Sequence, residues 1–67
     1  MGTVKSYSSR ELISMLEANG WVLKAVERSH HQYIHPKTRN KVTVPHPKKD
    51  IPVGTARNIL KRAGLLE

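Results

Sequence analysis

Residues 21–44 read Trp-Val-Leu-Lys-Ala-Val-Glu-Arg-Ser-His-His-Gln-Tyr-Ile-His-Pro-Lys-Thr-Arg-Asn-Lys-Val-Thr-Val. From Trp21 the side chains alternate with period two, the spacing of a half-buried strand. Trp21, Leu23 and Ala25 alternate with Val22, Lys24 and Val26, which predicts a strand to about Glu27 with Trp21, Leu23 and Ala25 on its buried face. Residues 29–35 are a second strand. Pro36-Lys37-Thr38-Arg39-Asn40 is turn chemistry. Lys41-Val42-Thr43-Val44 is a third strand with Val42 and Val44 on one face, ended by Pro45. Ile34 falls on the same alternate set as His30 and Gln32. That predicts either a covering partner or a bulge near Arg28-Ser29 that resets the alternation. Three short consecutive strands make an antiparallel meander.

The flanks change period. Ser8-Ser9-Arg10-Glu11 has the form of a capping box, and Leu12, Ile13 and Leu16 follow at helical spacing. Asn19-Gly20 closes that helix, predicted over about 9–18, with Gly20 free to take the left-handed conformation. Downstream, His46 to Ile51 is a polar loop. Pro52 opens a second helix, with Asp50 or Ile51 near its cap. Ala56, Ile59, Leu60 and Ala63 share its apolar face, Lys61 and Arg62 suit its carbonyl end, and Gly64 stops it before Leu65-Leu66 folds back. Two amphipathic helices of this size bury their stripes by lying on one face of the sheet. The expected fold is α+β: a two-layer α-β-β-β-α domain with an antiparallel three-stranded sheet. It occupies residues 1–67 as one unit, with 1–6 as a flexible terminus.

At 67 residues the chain is too short for a dinucleotide fold or a barrel. With no Phe, one Trp and two Tyr, the core is mainly aliphatic. Domains of this size are marginally stable alone. The absence of cysteine excludes disulfides, thiolate metal sites and a cysteine nucleophile. No apolar run approaches a membrane span, and the expected location is the cytoplasm, with no membrane partner. Met1 to Ser6 fits the permissive myristoylation pattern, read here as incidental. Twelve Lys+Arg against five Asp+Glu leave a charge of +7. That charge points to a polyanion, with nucleic acid the first candidate.

Chemistry is sparse apart from the histidines. The carboxylates Glu11, Glu17, Glu27, Asp50 and Glu67 form no hard-metal or paired-acid pattern, and the glycines form no phosphate loop. No metal or cofactor is expected. His31 and His35 share a strand face but lie roughly 13 Å apart, too far for one ion. Imidazole, however, titrates near neutrality and exchanges protons at physiological pH. RNA carries its own nucleophile, the 2′-hydroxyl. A histidine base with nearby cations to stabilise phosphorane charge is therefore enough to cleave it. Among His30, His31, His35 and His46, residue chemistry alone does not choose.

A resemblance does. From Ser8 to Leu65 the chain resembles the HicA-type mRNA interferase toxins of bacterial and archaeal toxin–antitoxin pairs. The matching blocks are Gly20-Trp21, Ser29-His30-His31-Gln32-Tyr33-Ile34-His35-Pro36, Val42-Thr43-Val44-Pro45-His46 and Gly54 to Leu65. Each block is weak alone, and the combination is specific. The resemblance implies a fold similar to a double-stranded-RNA-binding domain. It also implies sequence-relaxed mRNA cleavage without a metal and inhibition by a HicB-type antitoxin, through which oligomers can form. In that family the catalytic histidine follows a Gly-Ser pair, which places the role on His30. Here Arg28 stands where the family has glycine, and either it meets the backbone demand another way or it contacts phosphate.

The expected RNA contacts are Lys24, Lys41, Arg28 and Ser29, then Lys48, Lys49 and His46, the last also a candidate second proton-transfer group. Trp21 and Tyr33 are read as core. Two rivals share the charge and fold: an RNA-binding module without catalysis, and a protein-interaction domain for an acidic partner.

Overall fold

The structure is a computed structural model and describes residues 6–65. Its elements run β1 (Ser6–Tyr7), α1 (Ser9–Ala18), β2 (Val22–Glu27), β3 (His30–Ile34), β4 (Lys41–Pro45), β5 (Ile51–Pro52) and α2 (Val53–Arg62). β2, β3 and β4 form the antiparallel sheet in that order, and two helices accompany it, as expected. The myristoylation-like pattern at 1–5 and the fold-back of Leu66 lie outside the described residues.

Both helices end by the same device. Gly20 (φ +91°) and Gly64 (φ +74°) are left-handed. Trp21 N–H donates to Leu16 O (3.0 Å) and Gly20 N–H to Glu17 O (3.1 Å). Leu65 N–H donates to Leu60 O (2.9 Å) and Gly64 N–H to Lys61 O (3.1 Å) in the same pattern. This double bond satisfies the orphan carbonyls and folds the next apolar residue back onto the helix. At the start of α1, Glu11 N–H donates to Ser8 Oγ while Ser8 N–H donates to the Glu11 carboxylate, completing the capping box.

The core lies between the helices and the face of the sheet that carries Tyr33, Val42 and Val44. Leu12 and Leu16 enter from α1, Ala56, Ile59 and Leu60 from α2, and Trp21 from the turn after α1. Tyr33 shows the polarity of this layer. Burial, and secondarily the Glu17 carboxylate, raise its hydroxyl pKa above the usual phenol value.

Three expectations need correction. The irregularity in the meander lies between Leu23 and Ala25, not near Arg28-Ser29, which form a tight turn joining Glu27 to its partner His30. Past the bulge, Ala25 pairs with Gln32 on the open face and Val26 joins Leu23 on the helix side. The alternation that grouped Ala25 with Trp21 therefore breaks. The helices do not reach over β2, so Leu23 and Val26 stay 49% and 52% exposed. Ile34 keeps its place on the open face, between Val22 and Lys41.

Second, Ser6 is not part of a flexible tail. It pairs with Pro52 in a two-residue ladder, and its hydroxyl donates to the Asp50 carboxylate at 3.2 Å. Third, the loop 46–51 ends in Ile51, which is fully buried and forms β5 with Pro52. The cap of α2 is consequently Pro52, with no side-chain cap bond.

A buried serine ties that loop to α1. Ser9 N–H donates to Lys48 O at 2.8 Å. Ser9 Oγ accepts from Lys48 N–H at 3.0 Å and lies 2.6 Å from His46 Nδ1. Alanine at position 9 leaves His46 Nδ1 and Lys48 N–H without partners in a partly buried site. Ser9→Ala is expected to cost about 1–3 kcal/mol in a urea unfolding titration.

Candidate active site

The four histidines separate by sheet face. His31 pairs with Val44, so it points to the helix side, and His46 follows Val44 by two residues onto the same side. Their rings meet edge to face, centroids 4.7 Å apart. His46 is held by Ser9, while His31 Nδ1 is buried without a partner. His35 closes the turn after α1. Its Nε2 lies 3.2 Å from Asn19 O and its ring packs edge-on against Trp21, centroids 5.3 Å apart.

His30 alone projects to the other side of the sheet, with Gln32 and Ile34. It sits at the end of β3, opposite Pro45 on one side and Glu27 on the other. Glu27 is thus a cross-strand neighbour of His30, at the separation where side chains interact. Its carboxylate accepts from Gln32 Nε2 at 3.3 Å.

β4 is an edge strand, and α2 lies alongside it. Between them runs a groove of about 560 Å³. Its polar lining is His30, Lys41 and Thr43 from the sheet and Thr55, Asn58 and Arg62 from α2, over an apolar floor of Val42, Pro45 and Ile59. Among the described residues no carboxylate lines it. The spacing Thr55, Asn58, Arg62 places all three on one helix face. The groove has two distinct ends. His30 and Pro45 mark one. Lys41 and Arg62 mark the other, about 13 Å away along β4. Lys24 belongs to the second end: proximity to Lys41 holds the Lys24 ammonium pKa below its ordinary value.

Arg28 and Glu27 line a second opening on His30's other flank. Arg28 answers the question raised by its place in the motif. It has φ +57°, the left-handed region that favours glycine and that the first central residue of such a hairpin turn requires. The turn keeps the glycine conformation while carrying a cation beside His30. Arg28→Gly removes the β-carbon strain, partly offset by the added freedom of the unfolded chain. The variant is expected to be more stable by about 1 kcal/mol in thermal or urea unfolding.

The sequence-predicted residues thus divide. Arg28, Ser29, His30, Lys24 and Lys41 lie along one continuous surface. Ser29 holds it in register, its carbonyl accepting from His46 N–H at 2.7 Å. The His46 ring lies across the sheet from His30, and Lys48 and Lys49 sit on the loop pinned by Ser9. None of these three lines the groove. Thr55, Asn58 and Glu27 were missed, and Arg62 was assigned only to the helix end. The polar i, i+3, i+7 spacing of Thr55, Asn58 and Arg62 was the available signal. Among the described residues no three His, Cys, Asp or Glu side chains cluster as a metal site requires. No helix there is long and apolar enough to cross a membrane.

A small basic α+β domain with a cationic groove at a sheet edge and a lone outward histidine fits a toxin of the toxin–antitoxin class. The family model described as "HicA toxin of bacterial toxin-antitoxin" matches residues 9–65. The chain belongs to the HicA toxin family. Among curated proteins, none matches the chain.

Proposed function

We propose that this toxin is an endoribonuclease that cleaves mRNA, with His30 as its general base, and that a HicB-type antitoxin neutralises it by covering the groove. The observation that carries this reading is the position of His30. It is the one histidine on the open face, at the mouth of a groove that the described residues line with cations, hydroxyls and an amide and without a carboxylate. The charged side chains along that groove are cationic, and the Glu27 carboxylate stands outside it, on the other flank of His30.

In this mechanism His30 takes the proton of a 2′-hydroxyl. The 2′-oxygen forms a bond to phosphorus and the bond from phosphorus to the 5′-oxygen breaks. The departing oxygen takes a proton from solvent. Products end in a 2′,3′-cyclic phosphate and a 5′-hydroxyl. Arg28 and the Thr55 hydroxyl lie at the reacting end, where they stabilise charge developing on the phosphoryl oxygens. Glu27 faces the imidazolium that forms. Lys24, Lys41 and Arg62, at the far end, hold a neighbouring phosphate rather than the scissile one. Basic residues supply the electrostatic work, so no step uses a metal.

The test is an oligodeoxynucleotide carrying one ribonucleotide. Cleavage after that ribonucleotide, with the all-deoxy strand intact, is the expected result. Salt-dependent binding of RNA that stays intact would instead establish the non-catalytic RNA-binding module, a reading favoured by the absence, among the described residues, of a second histidine beside His30.

A further inference from the structure

A second groove, of about 360 Å³, opens beyond the far end of the first. Trp21, His35, Thr38, Asn40 and Lys61 contribute to its lining, and Arg62 lines both grooves. Asn40 and Lys41 are adjacent in the chain, so the walls continue from one groove into the next. Among the described residues the two together present Lys41, Lys61 and Arg62 and no carboxylate. The carbonyl end of α2 points here and its partial negative charge opposes an anion. The last turn bonds those carbonyls internally and adds Lys61 and Arg62.

Building on the ribonuclease reading, we infer that this second groove is a nucleotide subsite that reads a base flanking the cleavage position, with Lys61 and Arg62 on its phosphate and the Asn40 amide on its base edge. The chemistry fits each part. Asn40 uses its backbone locally, its carbonyl accepting from His35 N–H and its N–H donating to Thr38 Oγ1. Among the described residues no hydrogen bond engages its side-chain amide. An amide offers a donor and an acceptor side by side, the pattern that distinguishes base edges. The first groove, by contrast, presents cations and hydroxyls to the backbone around His30, and backbone contacts carry no sequence information. Sequence preference is therefore seated away from the catalytic histidine. The span of about 13 Å from His30 to Lys41 separates the two by roughly two to four nucleotides, depending on whether the strand is extended or stacked at about 3.4 Å per nucleotide.

Trp21 is the sole tryptophan and its largely buried ring borders the subsite, so a ligand seated there changes the surroundings of its fluorescence. The experiment titrates wild-type protein with 2′-O-methyl oligoribonucleotides, which lack the nucleophile and stay intact. Octanucleotides of different base sequence are compared. The tryptophan signal is expected to change on binding. Asn40→Ala and Lys61→Ala are each expected to weaken octanucleotide binding about tenfold. Asn40→Ala is further expected to flatten differences among octanucleotides of different base sequence, whereas Lys61→Ala lowers them all alike. An unchanged tryptophan signal, or variants that bind the octanucleotides as wild type does, would overturn the subsite. Because this readout needs no cleavage, its failure is distinct from failure of the ribonuclease reading, which the single-ribonucleotide substrate decides.

Discussion

Trp21→Ala is expected to abolish the cooperative unfolding transition at 37 °C. Trp21 is 4% exposed and joins Leu16, Tyr33 and Val42 in a core assembled from few large side chains. Truncating a buried tryptophan costs about 3–5 kcal/mol. A domain of this size has about 3–5 kcal/mol in total. The indole also seals the end of α1, because Trp21 is the residue folded back by the left-handed Gly20, and it supports the His35 ring. Its loss therefore loosens the helix end and the start of β2 together. The check is far-ultraviolet circular dichroism on heating, and a cooperative melt within about 1 kcal/mol of wild type would contradict the packing described here. A bound antitoxin stabilises the folded state by mass action, so the same variant should melt more cooperatively in complex than alone.

His30→Ala is expected to slow RNA cleavage about 10²–10⁴-fold, the usual contribution of a positioned acid–base group. The side chain is exposed, so stability should change by no more than about 0.5 kcal/mol. Octanucleotide affinity should also hold, because the grip comes from the Lys41–Arg62 end. His46→Ala makes the matching control. It removes the partner of buried Ser9 and the ring against His31, so it should lower stability without first lowering the rate per folded molecule. Two histidines in adjoining blocks of the same motif thus give opposite phenotypes. Rate and urea midpoint measured on both variants check this.

Much of this arrangement was legible in the chain. The capping box at Ser8 and the glycines at 20 and 64 marked the helices, because each answers a local backbone demand that neighbouring residues reveal. The outward placement of Lys41 and Lys24 followed from strand alternation. What was hidden depends on distant partners. The bulge at Leu23–Ala25 was unreadable because apolar residues occupy both alternate sets of β2. Burial of Ile51 and the pairing of Ser6 with Pro52 join segments more than forty residues apart, and neither carries a strand-length pattern. The functional face of α2 was masked for a different reason. Periodicity shows which face of a helix is apolar, not which sheet edge its polar flank lies along. Thr55, Asn58 and Arg62 became site residues only once α2 was seen beside β4. The lone outward position of His30 likewise needed the strand ends, since a shift of one residue exchanges its face with that of His31.

The most direct measurement is single-turnover cleavage of one oligoribonucleotide by wild-type and His30→Ala protein, side by side in excess chelator. Full wild-type activity and a variant at least about 10²-fold slower are the expected results. Equal rates for the two proteins would contradict the role of His30, and a wild-type enzyme silenced by the chelator would contradict metal-free cleavage.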